Sequence, residues 1–427
     1  MTPLPPPASW RPSLTDGDAL RAIEAARAIA ADLPAPGEAE TPGSSLTAGE
    51  AGRAVFFAYL EAACPGEGHG ERGMAHLDRA VELLAAEAEA PDLLFGFTGV
   101  AWAVEHLQGR LFEPDEDGDL NAEIDEELAA HLAQSPWRRP FELIGGLVGH
   151  AVYALRRLPR PRAAVCLERV VDRLSELAIA EPSGLTWPDP AAGRFADGPP
   201  LGGDVRLGVA HGVPGVIAAL ARVRAAGIAE AAAGRLIDGA VRWLSAHAAG
   251  GQVSLFPAPL DAQDRYAYPA WCHGDPGSAA ALLVAARALG DARLEREALA
   301  LARFAARPPE GVKGMGDCGL CHGAAGLAHL FARLSRATGD SRLEEVAISW
   351  YRYVLAQRRP GQGVGGFLSR GRIAGGAVGW RDDATLLLGS LGVGLALLAA
   401  ATPIEPCWDE LLLLSPLSVG ASSGAGG

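Results

Sequence analysis

Three residues whose side chains bind metals occupy matching positions in the sequence. Cys272 lies two residues before Gly274, and Cys321 lies two residues before Gly323, each glycine opening a Gly-x-x-Gly element. His322 follows Cys321 directly. Two thiolates and an imidazole suit zinc, and three protein ligands leave a fourth position for water or substrate, as in catalytic zinc sites. The sequence therefore predicts one zinc ion per chain, held by these three side chains.

Two more candidate residues for catalysis stand at related positions of the same pattern. His211 precedes its Gly-x-x-Gly element directly, as His322 does, and Glu142 lies four residues before its own, as Asp92 does. Equivalent positions of a repeat face the same way, so we expect these side chains to converge with the metal ligands. An imidazole beside such a site could exchange a proton near neutral pH. Asp92 is the weaker candidate, because an acid at a helix N-terminus also has a structural explanation.

The local sequence allows other interpretations of these cysteines. Residues 318–322 read C-x-x-C-H, the attachment motif of c-type haem, but haem attachment would leave Cys272 unexplained. Cys318 and Cys321 could form a redox pair, although the thioredoxin-like βαβ context is missing. A third alternative is a closed structural zinc site with His273 as fourth ligand. The remaining cysteines have no partner pattern and are interpreted as structural: Cys64, Cys166 and Cys407.

The Gly-x-x-Gly element recurs at intervals of 47 to 66 residues, each time before a stretch rich in Ala, Leu and Val. Such self-similarity indicates an internal repeat. The glycines allow tight turns and close backbone approach at the start of each helix. The pairs are Gly49/Gly52, Gly96/Gly99, Gly146/Gly149, Gly212/Gly215, Gly274/Gly277, Gly323/Gly326 and Gly389/Gly392.

More polar, amphipathic stretches alternate with these apolar ones, for example Pro161–Ile179 and Ser341–Gln357. An apolar helix suits an inner wall and an amphipathic helix an outer wall with one wet face. The sequence therefore predicts an all-α fold, an α/α toroid of about seven inner and seven outer helices, with an open solenoid as the alternative. We expect a flexible Pro-rich segment over residues 1–14, one catalytic domain over 15–414 and a disordered tail over 415–427.

Long loops rich in Gly and Pro separate several of the helical stretches. Long loops in a compact domain are often functional. We expect short strands within them, for instance around Val253–Phe256. They are Glu181–Arg206, Gly250–Pro269, Pro308–Gly319 and Pro360–Trp380.

Composition limits the class of protein. The chain has 427 residues, 49% of them hydrophobic, which is enough for a large core. Its net charge of −14, without a basic cluster, argues against nucleic-acid binding. The N-terminus lacks the basic start and apolar run of a signal peptide, so a cytoplasmic location is expected. Residues 384–402 carry no charge and could pass for a membrane span, but we interpret them as a buried helix, without membrane insertion.

Three segments resemble the lanthionine synthetase C-like family, the lanthipeptide cyclases: AHGVPGV (Ala210–Val216), AWCHGDPG (Ala270–Gly277) and GLCHGAAG (Gly319–Gly326). The glycine repeats extend the resemblance over most of residues 45–402. It implies an α/α toroid with a central zinc site. It also implies a reaction in which a peptide cysteine thiol adds to dehydroalanine or dehydrobutyrine, closing a lanthionine or methyllanthionine thioether ring. His211 matches the acid/base histidine of the family.

The sequence departs from the family pattern at three places. Glu142 stands where the family often has Asp, which lengthens the reach of the carboxylate by one methylene. His273 stands where Tyr is common. Tyr268 replaces an Arg sometimes found four residues before the first zinc cysteine, with Arg265 nearby. These departures affect the surroundings of the metal and the fit of the substrate, and leave the three ligands unchanged.

The resemblance favours a stand-alone cyclase that acts on a dehydrated precursor peptide with a leader. A separate dehydratase would prepare this peptide, and an exporter would remove the product. Three alternatives remain: addition of a small thiol such as glutathione to a dehydrated peptide, zinc-dependent prenyl transfer, and a non-catalytic peptide-binding scaffold with structural zinc.

Overall fold

The computed structural model describes residues 10–38, 43–86, 90–114, 118–187, 207–248, 254–256, 269–312, 315, 317–373 and 376–415. Helices dominate these residues, and two short antiparallel strand pairs accompany them, β1 (Ile179–Glu181) with β2 (Gly184–Thr186) and β3 (Ser369–Arg372) with β4 (Val378–Arg381). The α-helices are α1 (Asp16–Asp32), α2 (Glu50–Ala63), α3 (His69–Ala86), α4 (Phe97–Leu107), α5 (Ala122–Leu132), α6 (Leu147–Arg156), α7 (Pro161–Leu177), α8 (Val213–Ala225), α9 (Glu230–Ala246), α10 (Asp275–Leu289), α11 (Ala292–Ala305), α12 (Ala324–Thr338), α13 (Ser341–Gln357) and α14 (Ser390–Ala401).

The even-numbered helices form a closed inner ring. Each contacts the next even-numbered helix, and α14 contacts α2, which completes the circuit. The odd-numbered helices lie outside, mostly packed on a sequence neighbour, as α3 on α2 and α13 on α12. The predicted α/α toroid is therefore confirmed, and the contact between α14 and α2 excludes the open solenoid.

The two rings differ in sequence as the repeat predicts. Every residue of α14 from Ser390 to Ala400 is buried, so the uncharged stretch around it is an inner helix. The outer helix α7 buries residues spaced three or four apart, from Ala163 to Leu174, and exposes the opposite face. Among the described residues, no helix is both long and apolar enough to cross a membrane.

The second glycine of each pair is required by close packing. A Cβ atom there would lie only 1.8–2.5 Å from the carbonyl oxygen six residues earlier, in all seven repeats. The incoming loop thus folds tightly over the first turn of its inner helix, which gives the preceding residues the same placement in each repeat. Among the first glycines, Gly274 alone has a left-handed backbone, with φ of 80°, which favours glycine.

Backbone hydrogen bonds join most of these loops around the opening. The carbonyl of Cys272 accepts from the N–H of Ala210, at 3.3 Å, and the N–H of Cys272 donates to the carbonyl of Cys321, at 3.2 Å. The N–H of Cys321 in turn donates to the carbonyl of Leu387, at 2.8 Å. Residues far apart in sequence therefore become immediate neighbours at one end of the toroid.

The C-terminal segment, residues 405–415, packs against several inner helices. Its 3-10 helix, Cys407–Leu412, contacts α6, and the N–H of Trp408 donates to the hydroxyl of Tyr59 in α2 at 3.1 Å. There Asp409 is buried against His329 and Arg333 of α12, and Arg222 of α8 donates to the carbonyl of Leu413. This segment therefore joins inner helices that are far apart in the chain.

The first and last described residues can be compared with the predicted domain boundaries. Residues 1–9 and 416–427, which include most of both predicted flexible segments, lie outside the described residues. Trp10 and Leu14, expected within the first of these, are buried, and the Trp10 indole donates to the carbonyl of Ala399. The packed part of the chain therefore includes Trp10.

The two hairpins fall within two of the four long loops. β1–β2 spans the start of the first, and β3–β4 lies in the fourth. The strand expected around Val253–Phe256 is absent over residues 254–256, while Val253 lies outside the described residues.

Candidate metal centre

The three predicted metal ligands meet at the glycine-loop end of the toroid. Cys272 comes from the loop before α10, and Cys321 and His322 come from the loop before α12. Their ligand atoms all lie within 4.8 Å of one another, and each side chain is partly exposed. Among the described residues, no other group of His, Cys, Asp and Glu meets this spacing. All six cysteines are free thiols.

Protons within this cluster are shared unequally. The hydrogen bond between the two sulfurs lowers the pKa of the Cys321 thiol and raises that of Cys272. Burial opposes ionisation of His322, but its hydrogen bond to Cys321 and the charge of that sulfur raise the His322 pKa to about 9. The three side chains thus share protons within hydrogen-bond distance, and a divalent cation that bound them would displace those protons.

The donor set and its dimensions fit zinc. Ligand atoms around a tetrahedral zinc ion lie about 3.3–3.8 Å apart, given bonds of about 2.3 Å to sulfur and 2.0–2.1 Å to nitrogen. The observed separations within 4.8 Å allow an ion to seat with small adjustments. A fourth candidate ligand lies close, since His273 Nδ1 is 3.1 Å from Cys272 Sγ.

Cys318 lies apart from this cluster. It is buried, and burial raises the pKa of its thiol well above the usual range, which suits an inert core residue more than a redox partner. Its carbonyl accepts from the N–H of Ala325 in the first turn of α12.

The loops before α6 and α8 bring Glu142 and His211 together. His211 Nδ1 donates to Glu142 Oε2 at 2.9 Å. The same carboxylate accepts from the N–H groups of Ile144 and Gly145 at 2.9 and 3.0 Å, which fixes its direction. His211 lies near enough to Cys321 for its charge to lower the pKa of that thiol, after the larger effect of Cys272. A carboxylate–imidazole pair thus borders the predicted metal site.

The remaining candidates have varied surroundings. Asp92 lies against the Glu142 loop, since a Cβ on Gly145 would be 3.4 Å from its carboxylate. Phe95 precedes Gly96 as His211 precedes its glycine, and it is 54% exposed. The sequence analysis considered only polar residues at this repeat position and therefore did not single out Phe95. Tyr268 and Arg265 lie outside the described residues.

Two aspartates that the sequence analysis missed accept backbone N–H groups near the predicted metal ligands. Asp317 accepts from the N–H of Gly319 at 3.1 Å, in the loop that carries Cys321. Asp275, whose pKa is raised by burial, accepts from the N–H of Phe256 at 2.8 Å. A signal existed for Asp317, because Asp383 has the same place six residues before its glycine and also accepts a nearby N–H.

Comparisons with known proteins agree with this architecture. The family model described as "Lanthionine synthetase C-like protein" matches residues 41–413. Among solved structures, a chain titled "Nisin cyclase" superposes with a TM-score of 0.66 at 17% sequence identity, covering 88% of this chain and 93% of that one. This likeness shows a shared fold. The search of curated proteins finds no significant match.

Proposed function

From its membership of the lanthionine synthetase C-like family, to which this chain belongs, we propose that it is a zinc-dependent lanthipeptide cyclase. It adds cysteine thiols of a dehydrated peptide to dehydroalanine or dehydrobutyrine in the same peptide, forming lanthionine or methyllanthionine. The observation that carries the proposal is the juxtaposition of Cys272, Cys321 and His322 with the His211–Glu142 pair at one opening.

Cys272, Cys321 and His322 would hold the metal. Zinc bound there would favour the thiolate form of a substrate thiol that approaches the remaining coordination position. The partial exposure of all three side chains leaves the site accessible from the opening. The backbone bond between Cys272 and Cys321 keeps the two ligand loops in register, so the geometry is set before a substrate arrives.

The addition of the thiol to the dehydro residue needs no oxidant or reductant. The substrate sulfur loses its proton and forms a bond to the β-carbon of the dehydro residue. The π electrons of the alkene move towards the α-carbon and its carbonyl, giving an enolate. A proton then joins the α-carbon, so the ring contains every atom of the starting peptide.

His211 is the residue that we assign to this last proton transfer. Glu142 holds its Nδ1–H, and we assign the proton exchange to the other ring nitrogen, Nε2. Glu142 is 7% exposed and accepts from two backbone N–H groups, so its direction is fixed and it orients the imidazole. We therefore assign Glu142 a positioning role.

The dehydrated substrate requires partners. Dehydroalanine and dehydrobutyrine arise by loss of water from Ser and Thr, so a dehydratase must act first on a precursor peptide with a leader. We propose that the cyclase acts after this dehydratase in the cytoplasm, with an exporter acting on the product.

The function is tested by incubating the full chain with a dehydrated, cysteine-containing peptide. Ring closure consumes free thiols without changing the peptide mass, whereas addition of glutathione adds the mass of the external thiol. We expect thiol loss at constant mass with the wild-type protein and none with Cys321→Ala. Thiol loss only when glutathione is supplied, with the added mass, would favour the small-thiol reaction.

The contact between His273 and Cys272 supports one further candidate, a scaffold with structural zinc. In that case His273 completes a closed site of two cysteines and two histidines. Bound zinc with no thiol consumption under any of these conditions would support this candidate over the cyclase.

A further inference from the structure

We propose that one face of the β3–β4 hairpin docks an acidic, apolar segment of the peptide substrate, separate from the residues that react. This inference rests on the proposed function, since it names where part of the substrate binds. The docking face consists of Arg370, Arg372, Val378 and Trp380.

The pairing register puts these four side chains on one side of the hairpin. Arg370 pairs with Trp380, and Arg372 pairs with Val378. Because side chains alternate between the faces of a strand, the intervening pair, Gly371 with Gly379, belongs to the other face. Each basic side chain therefore stands directly across from an apolar one, within contact distance for cross-strand neighbours.

The docking face is exposed. Val378 is 58% exposed and Trp380 is 56% exposed, and both arginines are exposed as well. Neither Arg370 nor Arg372 makes an ion pair with any described residue. Their charges are thus available to a partner, as are the indole and the valine beside them. Val378 and Trp380 are neighbours on this face and both remain in contact with water, as apolar side chains on binding surfaces do.

Charge identifies the partner. The chain carries a net charge of −14, yet this face carries two arginines and no acid. Arginine binds carboxylates through paired N–H groups and also stacks on flat side chains. The arginines form a row along β3 and the apolar side chains a parallel row along β4. An extended peptide of alternating carboxylate and apolar side chains, with its backbone above the seam between the two strands, would direct all its carboxylates towards the arginines and its apolar side chains towards Val378 and Trp380, whereas a basic peptide would be repelled.

The hairpin is fastened to the predicted metal centre. The N–H of Arg370 donates to Asp317 at 3.2 Å, and the other oxygen of that carboxylate accepts from Gly319, two residues before Cys321. Ser369 Oγ donates to the carbonyl of Leu388, at 2.9 Å, next to the residue that binds the Cys321 N–H. The docking face therefore belongs to a hairpin that is hydrogen-bonded to the loop carrying Cys321, which places a bound peptide close to the predicted metal centre.

The experiment measures binding and cyclisation separately, with the full chain. Binding is followed by fluorescence anisotropy of a labelled peptide of alternating Asp and Leu, and of a second peptide with Lys in place of Asp. We expect Arg370→Glu/Arg372→Glu to weaken Asp–Leu binding about tenfold, from loss of two exposed ion pairs. Trp380→Ala should also weaken it. The matched control, Arg235→Glu/Arg296→Glu, reverses two exposed charges on α9 and α11 and should leave binding unchanged.

In the cyclisation assay, a dehydrated cysteine peptide that carries the Asp–Leu segment should show a raised KM with the double variant and an unchanged kcat. Equal affinities of wild type and double variant for the Asp–Leu peptide would overturn the docking proposal, whatever the catalytic result. Asp–Leu binding that depends on the face in a protein that never cyclises would support docking and reject the proposed function.

Other occupants of the face would give distinct results. Binding of wild type to vesicles of anionic phospholipid, with no affinity for the Asp–Leu peptide, would assign the face to a lipid surface and overturn the proposal. A concentration-dependent dimer that is lost in Trp380→Ala, again without peptide binding, would assign it to a second copy of the chain.

Discussion

Gly326→Ala probes how close packing positions the predicted metal ligands. The new Cβ would lie 1.8 Å from the carbonyl oxygen of Leu320, the residue before Cys321. Since real Cβ contacts are essentially never below 3.0 Å, that carbonyl must retreat by about 1.2 Å, the difference between the two distances. A shift of about 1 Å at a catalytic group can cost about 100-fold in rate.

The substitution should affect stability and metal binding by different amounts. Overpacking of this kind costs about 1–3 kcal/mol of unfolding free energy. With an unfolding entropy of about 2.1 cal/mol/K per residue, roughly 400 residues give about 0.8 kcal/mol/K, so Tm should fall by about 1–4 °C. Disturbed support of a metal ligand typically costs about 10–100-fold in affinity, which is the loss of zinc affinity that we expect.

Two control variants separate these effects. In Gly99→Ala the Cβ would lie 2.0 Å from the carbonyl of Leu93, so it should destabilise the fold similarly, but its repeat carries no predicted ligand. In Gly234→Ala, on the outer helix α9, only the end of the Arg224 side chain is close, at 3.2 Å. That change should leave Tm unchanged or raise the unfolding free energy by up to about 1 kcal/mol, because alanine favours helix.

The assay combines thermal unfolding with zinc titration in a competing chelator. We expect Gly326→Ala and Gly99→Ala to lower Tm alike, while only Gly326→Ala weakens zinc binding. Wild-type zinc affinity in Gly326→Ala, together with the expected loss of Tm, would refute the claim that this glycine contact places Cys321.

Three further predictions concern protonation. Glu142→Gln should lower kcat about 10–100-fold with zinc content unchanged, because a neutral amide holds the Nδ1–H of His211 less firmly and orients the ring less well; equal turnover would remove Glu142 from the mechanism. His211→Asn should retain zinc and peptide affinity but lose about 10²–10⁴-fold in rate of thiol consumption, and the wild-type rate with the same stereoisomer would contradict its role. Burial lowers the pKa of His131 to about 4 and of His150 to about 3, so the unfolded chain binds more protons below pH 6.5. The free energy of unfolding should be fully retained above that pH and should fall by up to about 1.4 kcal/mol per pH unit per imidazole on acidification. Urea titrations of His150→Leu at several pH values should show a shallower fall than the wild type. An unchanged slope in this variant would count against the prediction.

The sequence predicted those features that depend on the repeat. The seven glycine pairs indicate seven similar loop-to-helix junctions, and similar junctions place Cys272 and Cys321 alike. Ring closure did not follow, because the same local pattern fits an open solenoid; it depends on the contact between α14 and α2, at opposite ends of the chain. The family match confirms the resemblance carried by the glycine and cysteine motifs.

Features outside the repeat were harder to predict. The segment around Asp409 has no helical period of useful length, and its burial depends on partners such as Arg333 more than 70 residues away. The docking face could not be predicted from the sequence, because only the register of β3 and β4 places its four residues on one side of the hairpin. The repeat position that Asp317 shares with Asp383 gives a signal for its loop contact, but nothing in the sequence predicts its hydrogen bond to the hairpin.

Zinc K-edge X-ray absorption of the zinc-loaded protein tests the central claim most directly, before and after addition of a dehydrated cysteine peptide. A cyclase with Cys272, Cys321 and His322 as ligands should show two sulfur and one imidazole ligand at rest. One further sulfur should appear when the peptide is added, and that signal should be lost once the peptide is cyclised. Two sulfur and two imidazole ligands, unchanged by the peptide, would identify a closed site that includes His273 and would contradict the account.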